Sequence, residues 1–435
     1  MFTAAPPCYT ARVMSETLAI LVGGGPAPGI NGVISSAAIE AVNNGLRVIG
    51  LYDGYYHIAR GDTAHVVDLS IEDVSRIHFT GGSILRTSRT NPAKDEATLK
   101  QCVRSLTLLG VRYLIAIGGD DTTYGATKIA EMTRGRIGVA TVPKTIDNDL
   151  PLPDNAPTFG FETARATGTQ IVESLMEDAR TTERWYLVIC MGRKSGALSL
   201  GMCKAAGATL AVIPEEFTSD PLDLRAVVDT IVGAIVKRKA QGHDHGVAVV
   251  AEGIAERLSA DSLDGLEGLS RDSYGHVRLA DVPIGTILRD AVRRRLAEIG
   301  MDTTVVPKDI GYELRCTKPV PFDTEYTRTL GYGAVRYLLG GGSGALIALS
   351  GGRVVPVNLD DLLDPSTGRV RVRLVDVTTE AYEVARKYMI RLEAEDLTEP
   401  RLSRLAAFTN LSAEDFRAQF AAPAASSNGT VQTRV

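Results

Sequence analysis

The chain has 435 residues, of which 44% are hydrophobic and 23% charged, a composition typical of a globular protein that buries a large core without metal or disulfide staples. Its net charge of −5 and pI of about 5.8 argue against nucleic acid or an anionic membrane surface as the main partner. The five cysteines are scattered without a CxxC pair, and no apolar run reaches the roughly 20 residues that span a bilayer, so we expect a reduced, cytoplasmic protein.

Apolar runs alternate with helical stretches along the chain. After a flexible leader expected over residues 1–16, TLAILVGGG is predicted to be a strand, and Pro26 and Pro28 separate it from a helix that Asn43-Asn44-Gly45 closes. Further strands are predicted at LRVIGLYDG, VRYLIAIGG and IGVATVPKT, with helices between them. Such alternation is typical of a parallel sheet with helices on both faces.

The alternation restarts with a long helix predicted over residues 158–180, followed by the strands RWYLVICMG, TLAVIPEE and HGVAVVAEG. The polar stretch 256–281 is predicted to be an exposed insertion, and ALIALSGGRVVPVNL to be a small hairpin-like unit.

We therefore predict two Rossmann-like three-layer α/β domains with mostly parallel sheets. The predicted ranges are 17–160 completed by about 285–335 for the first domain, 161–284 completed by about 336–400 for the second, and 401–435 for a C-terminal extension with a disordered tail.

Residue types suited to binding or catalysis follow six of the apolar runs. In an open parallel sheet, ligands bind at the carboxyl ends of the strands, so six such runs carry more weight than any one of them. The six segments are residues 23–25, 118–121, 144–149, 191–193, 252 and 312–315.

The sequence GGGPAPG at residues 23–29 predicts a glycine-rich turn at a helix N-terminus. Such a turn exposes backbone N–H groups, which suit an anion. It does not fit the dinucleotide fingerprint, because Pro28 occupies the third glycine position, and no Gly-Lys-Ser/Thr follows as in a P-loop. A strand-to-helix turn without a ligand stays the alternative.

The sequence GGDDTT places Asp120 and Asp121 side by side at the end of a strand that we expect to be buried. Adjacent carboxylates repel each other, and burial makes them costly unless a cation neutralises them. We also expect Thr122 or Thr123 to cap the following helix. The alternative is that Asp121 caps the helix beside an exposed Asp120.

The sequence PKTIDND adds a lysine and two carboxylates after the next strand. Lys144 can cancel charge on a phosphoryl group, and Asp147 or Asp149 can accept a hydroxyl proton or help to hold magnesium. The alternative is a polar turn rich in Asp and Asn. Arg86 and Arg89 in GGSILRTSR are phosphate candidates, with solvated loop charges as the alternative.

These segments together resemble the motifs of the phosphofructokinase family in order and spacing, over about residues 17–340. The resembling motifs are GGGPAPGINGVI, GGDDTT, PKTIDND, MGRKSG, AEG and GYELR. The resemblance implies two α/β domains with the active site in the cleft between them, Mg²⁺ as the cofactor, and phosphorylation of fructose 6-phosphate at its 1-hydroxyl in glycolysis and gluconeogenesis.

The resemblance also implies roles for single residues. Asp147 matches the general base, Asp120 the magnesium-linked aspartate, and Lys144 completes the implied catalytic group. The implied contacts to the phosphoryl donor are Gly24, Arg89, Asp121 and Thr145. Those to the sugar phosphate are Thr145, Asp147, Asp149, Met191, Gly192, Arg193, Glu252, Tyr312 and Arg315.

Two further positions bear on assembly and on the 6-phosphate. Arg184, seven residues before Met191, matches an arginine that reaches the 6-phosphate bound to a neighbouring subunit, which implies a homo-oligomer, expected to be a dimer, with shared sites. Bacterial ATP-using members have an arginine where this chain has Val306, and Lys308 nearby is the candidate replacement.

The prediction of the phosphoryl donor rests on Asp121 and Lys144. ATP-dependent members typically read GGDG and PGTIDND, whereas GGDD and PKTIDND resemble the pyrophosphate-dependent branch. A carboxylate at position 121 adds bulk and negative charge against a nucleotide's α-phosphate, and Lys144 adds a cation for compact pyrophosphate. We therefore expect reversible transfer from pyrophosphate. The alternatives are an ATP-using kinase of the same fold and a non-catalytic sugar-phosphate sensor, which would not need all four of the residues Asp120, Lys144, Asp147 and Asp149.

Overall fold

A computed structural model describes residues 16–259, 283–366 and 370–425, and every structural statement below refers to these residues. The predicted leader up to residue 15, most of the predicted insertion, and the tail after residue 425 lie outside them. The chain forms two compact units. Unit 1 extends to Pro143 and includes Thr324–Asp361, and unit 2 comprises Lys144–Asp323 and the described residues from Leu362 onward.

The strands follow the predicted apolar runs. In chain order they are β1 Thr17–Val22, β2 Arg47–Leu51, β3 Val66–Asp68, β4 Val111–Gly118, β5 Gly138–Pro143, β6 Trp185–Cys190, β7 Leu210–Val212, β8 Gly246–Ala251, β9 Val305–Ile310, β10 Ala345–Ser350 and β11 Arg353–Asn358.

Each unit is built on its own sheet. Unit 1 has seven strands in the order β11-β10-β5-β4-β1-β2-β3, parallel except for the edge strands β3 and β11. Unit 2 has four parallel strands in the order β7-β8-β6-β9. Every residue of β1, β5, β6 and β8 is buried, which explains their continuous apolar runs, since both faces of a parallel sheet are covered by helices.

Helices connect the strands. In chain order they are α1 Ile30–Asn43, α2 Ile71–Val74, α3 Glu96–Leu108, α4 Asp120–Thr133, α5 Phe161–Thr182, α6 Ala197–Ala206, α7 Leu224–Ala240, α8 Ile254–Arg257, α9 Ile284–Glu298, α10 Tyr312–Arg315, α11 Pro321–Leu339, α12 Leu359–Leu362, α13 Glu380–Lys387, α14 Arg401–Ala406 and α15 Ala413–Ala425. Short 3₁₀ turns cover Ile58–Arg60, Ile77–Phe79, Pro92–Lys94, Pro153–Asn155, Pro214–Glu216 and Ala394–Leu397. Across the described ranges, no helix is long and apolar enough to cross a membrane.

The prediction of an α/β fold with mostly parallel sheets is confirmed, and so is the predicted hairpin, which forms β10 and β11. The long helix predicted over residues 158–180 forms as α5. The segment expected to be a C-terminal extension contains α14 and α15, and both pack against α7 of unit 2.

The later strands join the opposite sheets from those expected, whereas residues 324–335 lie in unit 1 and the described residues of 362–400 lie in unit 2, as expected. We expected about 285–335 to complete the first domain and about 336–400 to complete the second. Instead β9 pairs with β6 in unit 2, and β10 pairs with β5 in unit 1. The first unit also ends at Pro143 rather than near residue 160. Apolar runs reveal a strand but not its partner, because pairing depends on contacts between residues distant in the chain.

Candidate active site

Unit 1 gathers the glycine turn and the acidic helix N-terminus at neighbouring strand ends. Residues 23–25 follow β1 and residues 118–121 follow β4, which pairs with β1 in parallel. A Cβ at Gly23 or at Gly118 would lie 2.2 or 2.4 Å from the hydroxyl oxygen of Thr122, so only glycine fits at either position. Thr122 therefore packs the two turns together.

Gly24 links this turn to the segment that carries the candidate arginines. It has a φ of 80°, which favours glycine, and its N–H donates to the Ser88 carbonyl at 2.8 Å. Arg89, the next residue, is exposed. Arg86 is also exposed, but its guanidinium lies 3.5 Å from the Asp53 carboxylate, so Arg89 is the better phosphate candidate of the two.

Asp120 and Asp121 form the first turn of α4, and both are exposed. The expectation that burial makes this pair costly is therefore wrong, and the positive end of the helix dipole further stabilises the two carboxylates. The expected capping is also wrong. The N-cap residue is Gly119, without a side-chain cap, and Thr122 lies within the buried face of the helix.

In unit 2, Asp147 lies in a loop that follows Pro143, and its carboxyl is surrounded by charged groups. Burial raises the pKa of Asp147 to about 7, and the negative charges of Asp149 and Glu252 add to the rise. Arg315 and Lys144 act in the opposite direction and limit the rise in the pKa. Lys144 is only 6% exposed. The structure thus brings five of the predicted site residues together.

The loop's own backbone turn involves Thr145. The Thr145 hydroxyl accepts a hydrogen bond from the Asp147 N–H at 3.1 Å, which fixes the direction in which the chain leaves the strand end. Thr158, in turn, donates its hydroxyl to the Thr145 carbonyl at 2.7 Å.

The remaining residues of the predicted sugar-phosphate group lie at the carboxyl ends of β6, β8 and β9, which are neighbours in the sheet. The Gly192 N–H donates to Glu252 Oε1 at 3.3 Å. Gly192 has a φ of 136°, and a Cβ there would lie 2.6 Å from the Ser195 carbonyl oxygen. Burial raises the pKa of Glu252, against the lowering effects of the Gly192 N–H and of Arg193 and Arg315.

The β9 end adds an arginine and an aromatic ring. The Arg315 guanidinium lies 5.0 Å from the centre of the Tyr312 ring, and the Tyr312 side chain is exposed. Met191 contacts the backbone of Gly311, where a Cβ would lie 2.8 Å from the Met191 Cε. Met191, Arg193, Glu252, Tyr312 and Arg315 therefore form one group within unit 2.

Arg184 does not join this group. It precedes β6, whereas Met191 follows it, so the strand separates their Cα atoms by about 23 Å at roughly 3.3 Å per residue. The Arg184 Nε is buried and has no hydrogen-bond partner in the described part of the chain.

Sequence reasoning missed two residues that hold these loops, Arg373 and Glu215. Arg373 donates to the backbone of the Asp147 loop, and the Glu215 carboxylate accepts from Gly196 N–H, next to residues 191–193. Arg373 lies 225 positions from Asn148, the loop residue that it contacts, and no local pattern marks such a pairing in a single sequence.

The Phosphofructokinase family model matches residues 17–338. A Thermotoga maritima protein named pyrophosphate–fructose 6-phosphate 1-phosphotransferase is 57% identical over 392 residues, which cover 89% of this chain and 93% of that protein. A Naegleria fowleri protein of the same name is 49% identical over 414 residues, 93% of this chain and 95% of that protein. The solved structure of Pichia pastoris phosphofructokinase in the T-state aligns with a TM-score of 0.64 at 21% identity, over 93% of this chain and 41% of that longer chain. The chain belongs to the phosphofructokinase family.

Proposed function

We propose that this chain reversibly transfers a phosphoryl group from pyrophosphate to the 1-hydroxyl of fructose 6-phosphate, giving fructose 1,6-bisphosphate and phosphate. The observation that carries the proposal is the Asp147 carboxyl, half-buried beside Lys144, Glu252 and Arg315 with a pKa of about 7. A general base works best when its pKa lies near the operating pH. Relatives at 57% and 49% identity carry the name of this reaction.

In the forward direction, Asp147 accepts the proton of the 1-hydroxyl while the hydroxyl oxygen attacks one phosphorus of pyrophosphate. The new O–P bond forms, the bond between that phosphorus and the bridging oxygen breaks, and the other half leaves as inorganic phosphate. In the reverse direction, Asp147 returns the proton to the sugar oxygen. Transfers of this kind depend mainly on positioning and on neutralising charge, and the Lys144 ammonium supplies a positive charge in the same loop.

The sugar phosphate is proposed to bind at the carboxyl ends of β6, β8 and β9. Arg193 and Arg315 offer guanidinium groups, which pair well with a phosphate. The Glu252 carboxylate offers an acceptor for sugar hydroxyls, and its bond from the Gly192 N–H fixes one of its oxygens. We assign the sugar-phosphate contacts to Thr145, Asp147, Asp149, Met191, Gly192, Arg193, Glu252, Tyr312 and Arg315.

The donor is proposed to contact Gly24, Arg89, Asp121 and Thr145, with Asp121 and Lys144 selecting pyrophosphate. Asp121 is exposed in the first turn of α4, where a carboxylate would meet the α-phosphate of a nucleotide with like charge. Pyrophosphate has no adenosine to bind, so its affinity must come from charge neutralisation, which favours a lysine at position 144.

Mg²⁺ is the proposed cofactor, held by Asp120. The fit rests on the chemistry of the donor atoms, because an exposed carboxylate suits a cation that keeps several waters and binds through one or two carboxylates plus substrate phosphates. When bound, the ion would neutralise negative charge on the transferring phosphoryl group.

We also propose a cytoplasmic homodimer that acts in glycolysis and gluconeogenesis. Arg184 supports shared sites, because it lies away from the unit 2 group and is only half-buried. A guanidinium pairs well with a phosphate, here one bound to a second subunit.

A coupled assay of the purified protein with each donor tests the proposal. We expect fructose 1,6-bisphosphate from pyrophosphate and little or none from ATP, with the reverse reaction requiring phosphate. Activity with ATP and none with pyrophosphate would overturn the donor assignment. No turnover with either donor would instead favour a sugar-phosphate sensor, and measured binding of fructose 6-phosphate would then identify one.

A further inference from the structure

Residues 370–376, which we call the strap, form an irregular segment of unit 2 beyond the residues that the family model matches. The strap begins at an isolated bridge between Leu363 and Val370. Its Arg371 N–H donates to the Leu362 carbonyl at 2.8 Å. No site role follows from the sequence of this segment, yet it contacts the loop that carries Asp147.

Arg373 makes these contacts with both its backbone and its side chain. Its N–H donates to the Asp149 carbonyl at 2.7 Å, its Nε to the Asn148 carbonyl at 2.9 Å, and its Nη1 to the Ala156 carbonyl at 2.8 Å. Its Nη2 also donates to the Asn148 Oδ1. A guanidinium holds several acceptors in one plane, and bonds from a charged donor are stronger than neutral ones.

The contacted loop adopts a conformation that needs such support. Asn148 has a φ of 56°, in the left-handed region, which is sparsely populated for residues other than glycine and persists when surrounding contacts hold it. The Asn148 Oδ1 also accepts from the Thr158 N–H at 3.1 Å. Asp147 is the residue directly before this constrained position, so the direction of its carboxyl depends on the same contacts.

The strap is itself anchored on the second loop of unit 2. Glu215 Oε1 accepts from the Val375 N–H at 3.1 Å and from the Gly196 N–H at 2.8 Å. Gly196 is the N-cap residue of α6, directly after the loop that contains Met191 and Arg193. One buried carboxylate thus joins the strap to the loop proposed to bind the sugar phosphate.

We propose that Arg373 is a positioning residue for phosphoryl transfer, which holds the loop of residues 145–149 so that Asp147 meets the sugar hydroxyl. This inference rests on the proposed function. The strap would preorganise the general base from a distant part of the chain, with Glu215 fixing its other end.

The main test compares Arg373→Ala with Arg371→Ala. Arg371→Ala removes an exposed arginine side chain from the same strap and keeps the hydrogen bond from the N–H of residue 371 to the Leu362 carbonyl. We expect kcat with pyrophosphate to fall about 100-fold in Arg373→Ala, the size of effect expected when a reacting group moves by about 1 Å. The KM for fructose 6-phosphate should change less than kcat, because most of the residues proposed to bind it lie on other segments, at the carboxyl ends of β6, β8 and β9. Arg371→Ala should retain the kcat of the wild type.

Two readouts separate positioning from general destabilisation. Guanidinium ions, added below the concentrations that unfold the protein, should restore part of the kcat of Arg373→Ala by refilling the vacated space. Amide hydrogen exchange without substrates should be faster at residues 147–158 in Arg373→Ala than in Arg371→Ala. If Arg373→Ala does not fold, Arg373→Lys replaces it, and we expect a folded protein with an intermediate loss of kcat, because one ammonium cannot reach all the acceptors.

Equal kcat values for Arg373→Ala and Arg371→Ala would overturn the proposal. So would a loss of kcat that matches the loss of folded protein and does not respond to guanidinium. Hydrogen exchange needs no turnover, so it tests the support of the loop even if the proposed reaction fails. Inactive wild-type protein with a slow-exchanging loop would therefore count against the proposed function and in favour of the support by Arg373.

Discussion

Two pairs of aspartates, one in each unit, follow parallel strands and differ in their surroundings. Asp120 and Asp121 begin α4 in unit 1, where both are exposed and lie at the positive end of the helix dipole. Asp147 and Asp149 lie in an irregular loop of unit 2, where both are half-buried, and the pKa of Asp147 is raised to about 7.

These surroundings suit the same side chain to two different tasks. An exposed carboxylate is open to solvent and can join the hydration shell of a divalent cation. A half-buried carboxyl among other acids holds its proton more tightly and can exchange it near neutral pH. The sequence places both pairs at strand ends, but only the surroundings separate a metal ligand from a base.

Asp147→Asn should have the largest effect on turnover. The amide keeps the size of the side chain but cannot accept the hydroxyl proton, so we expect kcat to fall by about 10³–10⁴-fold, near the upper range of general-base catalysis. Initial rates in both directions, with binding of fructose 6-phosphate measured separately, check this. Full turnover in Asp147→Asn would assign the base to another residue.

The pair Asp121→Gly and Lys144→Gly should have the next largest effect, on donor choice. Removing the carboxylate and the ammonium together should lower kcat/KM for pyrophosphate by about 100-fold or more, about the free energy of two lost charged contacts. ATP use should appear only if the rest of the pocket admits a nucleotide. Each single variant serves as a control for the other, and unchanged pyrophosphate use in the double variant would remove both residues from donor selection.

The sequence predicts the strands, the residues that follow them and the family motifs, because these depend on local apolar runs and short spacings. It does not predict that Asp120 and Asp121 are exposed, because exposure depends on which segments cover the strand end. Nor does it predict that β9 joins β6 or that Arg373 contacts Asn148, since these pairings join residues more than 100 positions apart. The motif of the loop that carries Asp147 therefore does not predict which distant residue supports that loop.

The pH dependence of kcat should distinguish the two pairs of aspartates, and we expect this effect to be smaller than the two above. Asp147 must be deprotonated to accept the hydroxyl proton, so the forward kcat should rise with pH through about 7. The reverse kcat should fall over the same range, because there Asp147 must donate. Glu252→Gln removes a negative charge that raises the pKa of Asp147, so both pH profiles should move to lower pH.

Profiles of kcat against pH at saturating substrates, in wild type and Glu252→Gln, measure this shift. Asp120→Asn provides the contrast, because an exposed metal ligand should change the rate and the Mg²⁺ requirement without moving the transition near pH 7. A transition that moves in Asp120→Asn but stays in place in Glu252→Gln would contradict the assignment of the base to unit 2.

A further carboxylate shows that burial alone does not make an aspartate catalytic, and its replacement should affect turnover least. Asp323 is fully buried, and burial raises its pKa, as it does for Asp147. Unlike Asp147, however, Asp323 accepts hydrogen bonds from the Gly160 N–H at 2.8 Å and from the N–H and hydroxyl of Thr163 at 2.7 and 2.6 Å, at the start of α5. These bonds cap a helix whose N-cap residue, Gly160, has no side chain to do so.

Asp323→Ala should therefore lower the free energy of unfolding by about 3 kcal/mol, since it leaves buried donors without an acceptor. Urea unfolding followed by circular dichroism measures this loss, and Asp323→Asn, which keeps one acceptor oxygen, should lose less. The kcat of the folded fraction should stay close to wild type, because Asp323 is fully buried and its carboxylate is not exposed to a substrate. If kcat fell in Asp323→Ala far more than the folded fraction did, the distinction drawn between Asp147 and a structurally satisfied carboxylate would fail.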